Sequence, residues 1–203
     1  MNILLLDGLP EEYEGIPISA DFRNMIQVDL ILHDPDTSEV EKTIAALYQL
    51  YPEIPKDIRK AVEGLVWFYT RGNAPGDGKD KGAKKSAKKA FDFEQDANLI
   101  YAAFYATYGI SLTTVDFLHW WEFMALFEGL PETTLMQRVM YWRTADVAGL
   151  TKHEKNHVLK MRKLFALKEV EKPVMDIEAL NQQTKDRVAR RFAEAQAALE
   201  KGV

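Results

Sequence analysis

The chain has 203 residues, 47% of them hydrophobic and 28% charged, with a formal net charge of −5, a size and balance that suit one globular domain with appendages. An acidic chain lacks the basic face that phosphate neutralisation requires, which excludes a nucleic-acid coat as its main role. The lack of cysteine excludes disulfides, thiolate nucleophiles and cysteine-built zinc sites, and no apolar run approaches the roughly 18 residues of a bilayer span.

The start, Met1 to Asp7, has neither the basic region nor the cleavage site of a secretory signal, so export is not expected and the chain reads as intracellular. Ile3–Leu6 and Ile16–Ile18 are short β-compatible runs separated by Gly8, Pro10 and Gly15, which predicts a small N-terminal hairpin. Asp21 then stands as an N-cap before Phe22, Met25, Ile26 and Leu30, and Asp34-Pro35 ends that helix. Ser38 with Glu41 three residues later forms a capping-box pattern ahead of Ile44, Leu47, Tyr48 and Tyr51, a stripe that stops at Pro52. A third helix follows Pro55, which suits a first turn because its missing amide hydrogen would be unpaired there, with Ile58, Val62, Leu65, Val66 and Tyr69 in register.

Residues 72–90 then carry four glycines, one proline and six lysines against Asp77 and Asp80, a local charge of +4 that leaves −9 on the rest of the chain. Such a segment has too little apolar surface to order itself and reads as a flexible basic loop. It could serve as an electrostatic arm, although no aromatic residue interleaves the lysines to stack on bases.

Beyond the loop, Asp92 is a candidate N-cap for a helix with Phe93, Ala97, Ile100, Tyr101, Phe104 and Tyr108 on one face and Gly109 at its left-handed C-terminal cap. Thr113 or Thr114 begins the next, in which Phe117, Leu118, Trp120, Trp121, Phe123, Met124, Leu126 and Phe127 leave few polar positions; a helix of this kind is covered on most sides. Adjacent residues point about 100° apart, so Trp120 and Trp121 do not both face one partner helix. Either both sit in the core or one anchors a partner protein. His119 reads as a hydrogen-bonded, partly buried histidine rather than a catalyst. Thr133–Trp142 is a short helix with Leu135, Val139 and Trp142 inward and Arg138 and Arg143 outward or snorkelling.

His153-Glu154-Lys155-Asn156-His157 matches H-E-x-x-H, in which two histidines on one helix face hold zinc and the glutamate activates water. Here the helix is dense in lysine and arginine, which repel a dication, and Lys160 and Lys163 stand where the compact extension needs glycine and a third histidine. Glu178, beyond Pro173, is the only nominated substitute ligand. A capping box of Thr151 and Glu154, with Val158, Met161 and Phe165 buried, accounts for the stretch without metal. No phosphate-binding glycine loop, dinucleotide fingerprint or nucleophile elbow is present, and no catalytic residue, metal or cofactor is assigned. The last segment, Asp176–Lys201, carries Ile177, Leu180, Val188, Phe192, Ala195 and Leu199 among charges and reads as a long amphipathic helix that docks on its own domain or on another chain.

The expected fold is therefore mainly α, a multi-helix bundle with a small N-terminal β-hairpin, a disordered basic loop and a long C-terminal helix. Its organisation runs as hairpin plus helices over 1–71, a Lys/Gly-rich loop over 72–90, an aromatic helical core over 91–170 packed with the first part as one domain, and the amphipathic helix over 171–203. The exposed-anchor candidates for protein binding are Trp120, Trp121, Phe127, Trp142 and Phe192.

The Asp21-Phe22-Arg23 helix start, the run from Asp92 to Phe104, the Tyr108-Gly109-Ile110 step and the run Leu118-His119-Trp120-Trp121-Glu122-Phe123 together resemble a small helical family from long-tailed phages and prophages of Gram-positive bacteria. The resemblance covers nearly the whole chain. Members are encoded between the major tail protein and the tape-measure protein, so the resemblance implies a tail assembly chaperone that coats the tape-measure protein in the host bacterial cytoplasm, leaves as the tube polymerises and is absent from the mature virion. Implied partners are the tape-measure protein, a second chaperone form and further copies of the chain. A structural tail component retained in the virion and a zinc-dependent hydrolase are the alternatives.

Overall fold

The computed structural model describes residues 8–73 and 89–168. They belong to the first of two units, Met1–Leu167, except for Lys168, which opens the second, Lys168–Val203. The expected strand at Ile3–Leu6, most of the basic loop and the whole Asp176–Lys201 helix with Phe192 lie outside the described residues.

The described residues are mainly helical with one small antiparallel hairpin. Its strands are β1 (Glu12–Tyr13) and β2 (Ile16–Pro17), with Tyr13 opposite Ile16 and Glu12 opposite Pro17. The two-residue turn between them places Glu14 at φ 49° and Gly15 at φ 79°. Two successive positive φ values match the twist of paired strands, and glycine supplies one without strain.

Seven helices follow among the described residues: α1 (Phe22–His33), α2 (Glu39–Leu50), α3 (Ile58–Tyr69), α4 (Ala97–Tyr108), α5 (Trp120–Glu128), α6 (Leu135–Thr144) and α7 (Lys152–Leu164). Their starts follow local hydrogen-bond chemistry. Asp21 accepts from the Arg23 amide, and Ser38 and Glu41 exchange both bonds of a capping box, each such cap contributing about 1 kcal/mol. Pro55 lies ahead of α3 rather than in its first turn, because Asp57 accepts from the Arg59 and Lys60 amides and sets the start there. Asp92 does cap, but it caps the turn over 93–96 by accepting from Glu94 and Gln95, and α4 begins one turn later than the spacing suggested. α5 begins at Trp120, well after Thr113, because residues 112–114 turn and His119 supplies the cap. Thr134 caps α6 and Gly109, at φ 69°, ends α4 as expected.

α3 ends in a paired turn in which the Gly72 amide donates to Trp67 and the Arg71 amide to Phe68. Arg71 takes the left-handed conformation at φ 57°, which costs about 1 kcal/mol for a residue with a Cβ, and its guanidinium grips Glu128 at the end of α5 at 2.9 and 2.6 Å. In mid-helix, Gly64 leaves room for Tyr51 and Tyr13, whose hydroxyl and ring a Cβ would overlap. Tyr51 donates there to the Ala61 carbonyl, and burial pushes its phenol up to about 12.

α1 packs on α2 and α5, α2 on α3, α4 on α5 and α6, and α6 on α7. The entries of α1 and α5 are stitched together, with the Phe22 amide donating to Leu118 at 2.9 Å and the Trp120 amide to Ala20 at 2.8 Å. Phe123 is the centre of the core. Its ring lies nearly parallel to Phe22 and to Phe104, each 4.9 Å away, with Trp120 and Phe127 stacked alongside. A smaller cluster of Val139, Trp142 and Val158 joins α6 to α7. On α6 Val139 and Trp142 face inward as expected, but the inward residue of its first turn is Met136, and Leu135 is exposed.

Candidate protein-binding surfaces

The aromatic residues nominated as partner anchors are interior. Trp120, Trp121, Phe127 and Trp142 are all at most 5% exposed, and Phe192 lies outside the described residues. The two adjacent tryptophans also have a polar task. Trp121 Nε1–H donates to the Phe68 carbonyl at 2.9 Å and Trp120 Nε1–H to the Tyr69 carbonyl at 3.4 Å. These are carbonyls of the last turn of α3, which an isolated helix leaves without partners. Both indoles thus reach one helix after all, because they meet its end rather than its side.

His119 is buried and takes part in two hydrogen bonds, as its sequence setting implied. Its Nδ1 accepts from the Trp121 amide at 3.0 Å, so Nε2 carries the proton and donates to the Pro10 carbonyl at 2.9 Å. Burial holds its pKa below the ordinary 6.5, against the Pro10 bond that pulls the other way.

In the H-E-x-x-H stretch, Glu154 accepts from the Thr151 amide at 2.9 Å and from the Thr151 hydroxyl at 2.7 Å, and the Thr151 hydroxyl accepts from the Glu154 amide. The Thr151 hydroxyl bond and then the amide bond hold the Glu154 carboxyl below its usual range. His157 lies edge-on to Trp142 at 6.1 Å. Among the described residues no three His, Asp or Glu side chains are grouped closely enough to hold a metal ion. Val158 is buried, with Met161 and Phe165 half-buried beside it. The stretch is thus the capped start of a surface helix.

Arg143, expected to face outward or snorkel, is buried. Its guanidinium pairs with Asp96 at 2.5 and 2.9 Å and also donates to the Phe165 and Ala90 carbonyls. Asp96 accepts in addition from the Asp92 amide. The bidentate fork satisfies a buried charge pair that would otherwise be costly, and it ties together the start of α4 and the ends of α6 and α7. Periodicity offered no sign of this: the paired residues are 47 positions apart.

With these side chains committed to the interior, the outward surfaces are what a partner can meet. α4 belongs to a run without any charge, 97–115. Its outer face presents Asn98, Ala102, Tyr105 and Ala106, all exposed, with Tyr101 stacked on Tyr105 at 6.2 Å. Tyr105 is 59% exposed. A second surface is the ridge of α2, where Val40, Ile44 and Tyr48 are 69%, 49% and 58% exposed at four-residue spacing. The third is α7, whose exposed residues include Lys152, Lys155, Lys160 and Lys163 around Leu159. Beside α6 lies a hollow of about 660 Å³ bordered by Glu132, Arg138, Tyr141, Trp142 and His157. Arg138 covers one face of Trp142 there at 5.0 Å. No described helix is long and apolar enough to cross a membrane.

A family model described as Bacteriophage Gp15 protein matches residues 5–167. Among curated proteins and among solved structures, none matches.

Proposed function

We propose that this chain, which belongs to the Bacteriophage Gp15 protein family, is an assembly chaperone that binds the tape-measure protein of a long-tailed phage and keeps it from aggregating while the tail tube forms. Family membership is the observation that carries the reading, since it makes the chain a phage structural or assembly protein. The resemblance of the Asp92–Phe104 and Leu118–Phe123 runs supports a role in the tail.

The geometry supports action by docking. The side chains best suited to chemistry serve the fold: His119 and Glu154 cap helices, and Asp96 and Arg143 clamp three of them. The uncharged outer face of α4 is the surface best suited to an apolar helical client. Ala102 and Ala106 let another helix approach closely, and Tyr101 and Tyr105 supply rigid amphipathic contact area of the kind enriched at protein interfaces. A client helix laid on this face would desolvate no charge of α4 itself.

Co-expression with the long helical tape-measure protein, followed by size-exclusion chromatography with light scattering, tests the reading. The expected result is a soluble complex of defined mass and a client rescued from the insoluble fraction. A client that precipitates while this chain elutes alone, together with recovery of the chain from purified particles, would instead make it a structural tail component.

A further inference from the structure

We infer that the chain associates with its own copies head to tail, the α2 ridge of one copy docking on the basic face of α7 of the next. The two helices are complementary. The ridge Val40, Ile44 and Tyr48 carries no positive side chain and is bracketed in sequence by the exposed carboxylates Asp36 and Glu53, neither of which forms an ion pair with a described residue. The one lysine of α2, Lys42, is buried and held by Glu39 at 2.7 Å.

α7 has the opposite character. Lys152, Lys155, Lys160 and Lys163 are exposed and form no ion pair with any described residue, and the one carboxylate of the helix, Glu154, is held in the cap. Leu159, 41% exposed, sits among them and offers an apolar contact to the ridge. The helices span 12 and 13 residues, roughly 18 Å each, so their faces match in length as well as in charge. Opposite potentials over an apolar centre set partner choice and register. Each helix packs within its own copy on other elements, α2 on α1 and α3 and α7 on α6, which leaves these faces outward.

Because the two faces differ, the contact is not self-complementary. Each copy that docks leaves one free face of each kind, and the assembly grows until it closes as a ring or continues as a string. The inference does not depend on the identity of any client.

Sedimentation of the full-length chain tests it, alone and as two variants that each remove one face, Ile44→Lys and the pair Lys155→Ser with Lys163→Ser. The wild-type chain is expected to form species larger than dimers that dissociate as ionic strength rises from about 0.05 to 0.5 M, where screening shortens to a few ångströms. Each variant should associate at least about tenfold more weakly. Mixed together, the variants should recover a single heterodimer that grows no further, because only one competent pair of faces remains. Circular dichroism establishes that both variants are folded. A wild-type chain that stays monomeric, association indifferent to both variants, or a mixture that fails to pair would overturn the proposal, as would α7 lysines that bind a polyanion while the chain remains monomeric.

Discussion

α4 and α5 are the two least polar of the described helices, and they meet opposite fates. α5 has a single charged residue in its first turn, Glu122, and one at its end, Glu128; Trp120, Trp121, Phe123 and Phe127 are all buried. α4 carries no charge at all, yet buries only Ile100, Ala103 and Phe104 and turns Asn98, Ala102, Tyr105 and Ala106 outward. The difference is size. α5 carries four large rings that its neighbours cover, because a ring left in water loses the benefit of burial, and it leaves Glu122, Ala125 and Glu128 exposed. α4 buries Ile100 and Phe104 on one side and on the other exposes Ala102 and Ala106, which lose little by exposure, together with Asn98 and the amphipathic Tyr105. The rings of α5 make it a core helix, whereas the small and amphipathic residues on one side of α4 leave that side open.

The anchors differ too, and the comparison can be broken at them. Phe123→Ala removes the ring at the centre of the aromatic stack and should destabilise the chain by about 3–5 kcal/mol, read as a shifted chemical denaturation midpoint. Arg143→Met strips the partner from buried Asp96 at the entry of α4 and should lower stability by about 3–5 kcal/mol. Adding Asp96→Asn should recover part of that loss, since the residual cost is an uncompensated charge rather than a missing contact.

His119 sharpens the contrast through pH. Its Nδ1 lone pair caps α5, and protonation would remove the cap and charge a buried ring. Since its pKa is lowered in the folded state, its contribution is complete above the unfolded value of 6.5 and declines as pH falls below it toward the depressed folded value. Unfolding free energy measured between pH 7.5 and 5.5, roughly one unit either side of that value, should fall on acidification. His119→Asn, which can still cap, should flatten this slope at a stability cost of about 1 kcal/mol. The smallest effect belongs to the open face: Ala102→Glu and Tyr105→Glu should each change stability by no more than about 0.5 kcal/mol.

Much of the fold is legible in the residues. Asp21, Ser38–Glu41, Thr151–Glu154 and Gly109 mark helix ends because capping is a local bond between near neighbours. Boundaries failed where a competing partner intervened. His119 displaced Thr113 and Thr114 as the cap of α5, and Asp57 set the start of α3 beyond Pro55. The open face of α4 was the least legible feature. Large aromatics suggest interfaces by composition, but Trp120 and Trp121 find both apolar cover and hydrogen-bond acceptors at the end of α3. Which face of α4 stays open depends on how α5 and α6 pack against it, and the Arg143–Asp96 clamp depends on a contact between distant segments.

The central claim is that the chain acts through the open face of α4 and not through its aromatic interior. Its most direct test is the affinity of the purified chain for the tape-measure protein, compared between wild type and the Ala102→Glu, Tyr105→Glu double variant with thermal unfolding measured on both. The account predicts that the double variant unfolds within a few degrees of wild type and loses at least about tenfold in affinity. Unchanged affinity in a normally folded double variant would contradict it.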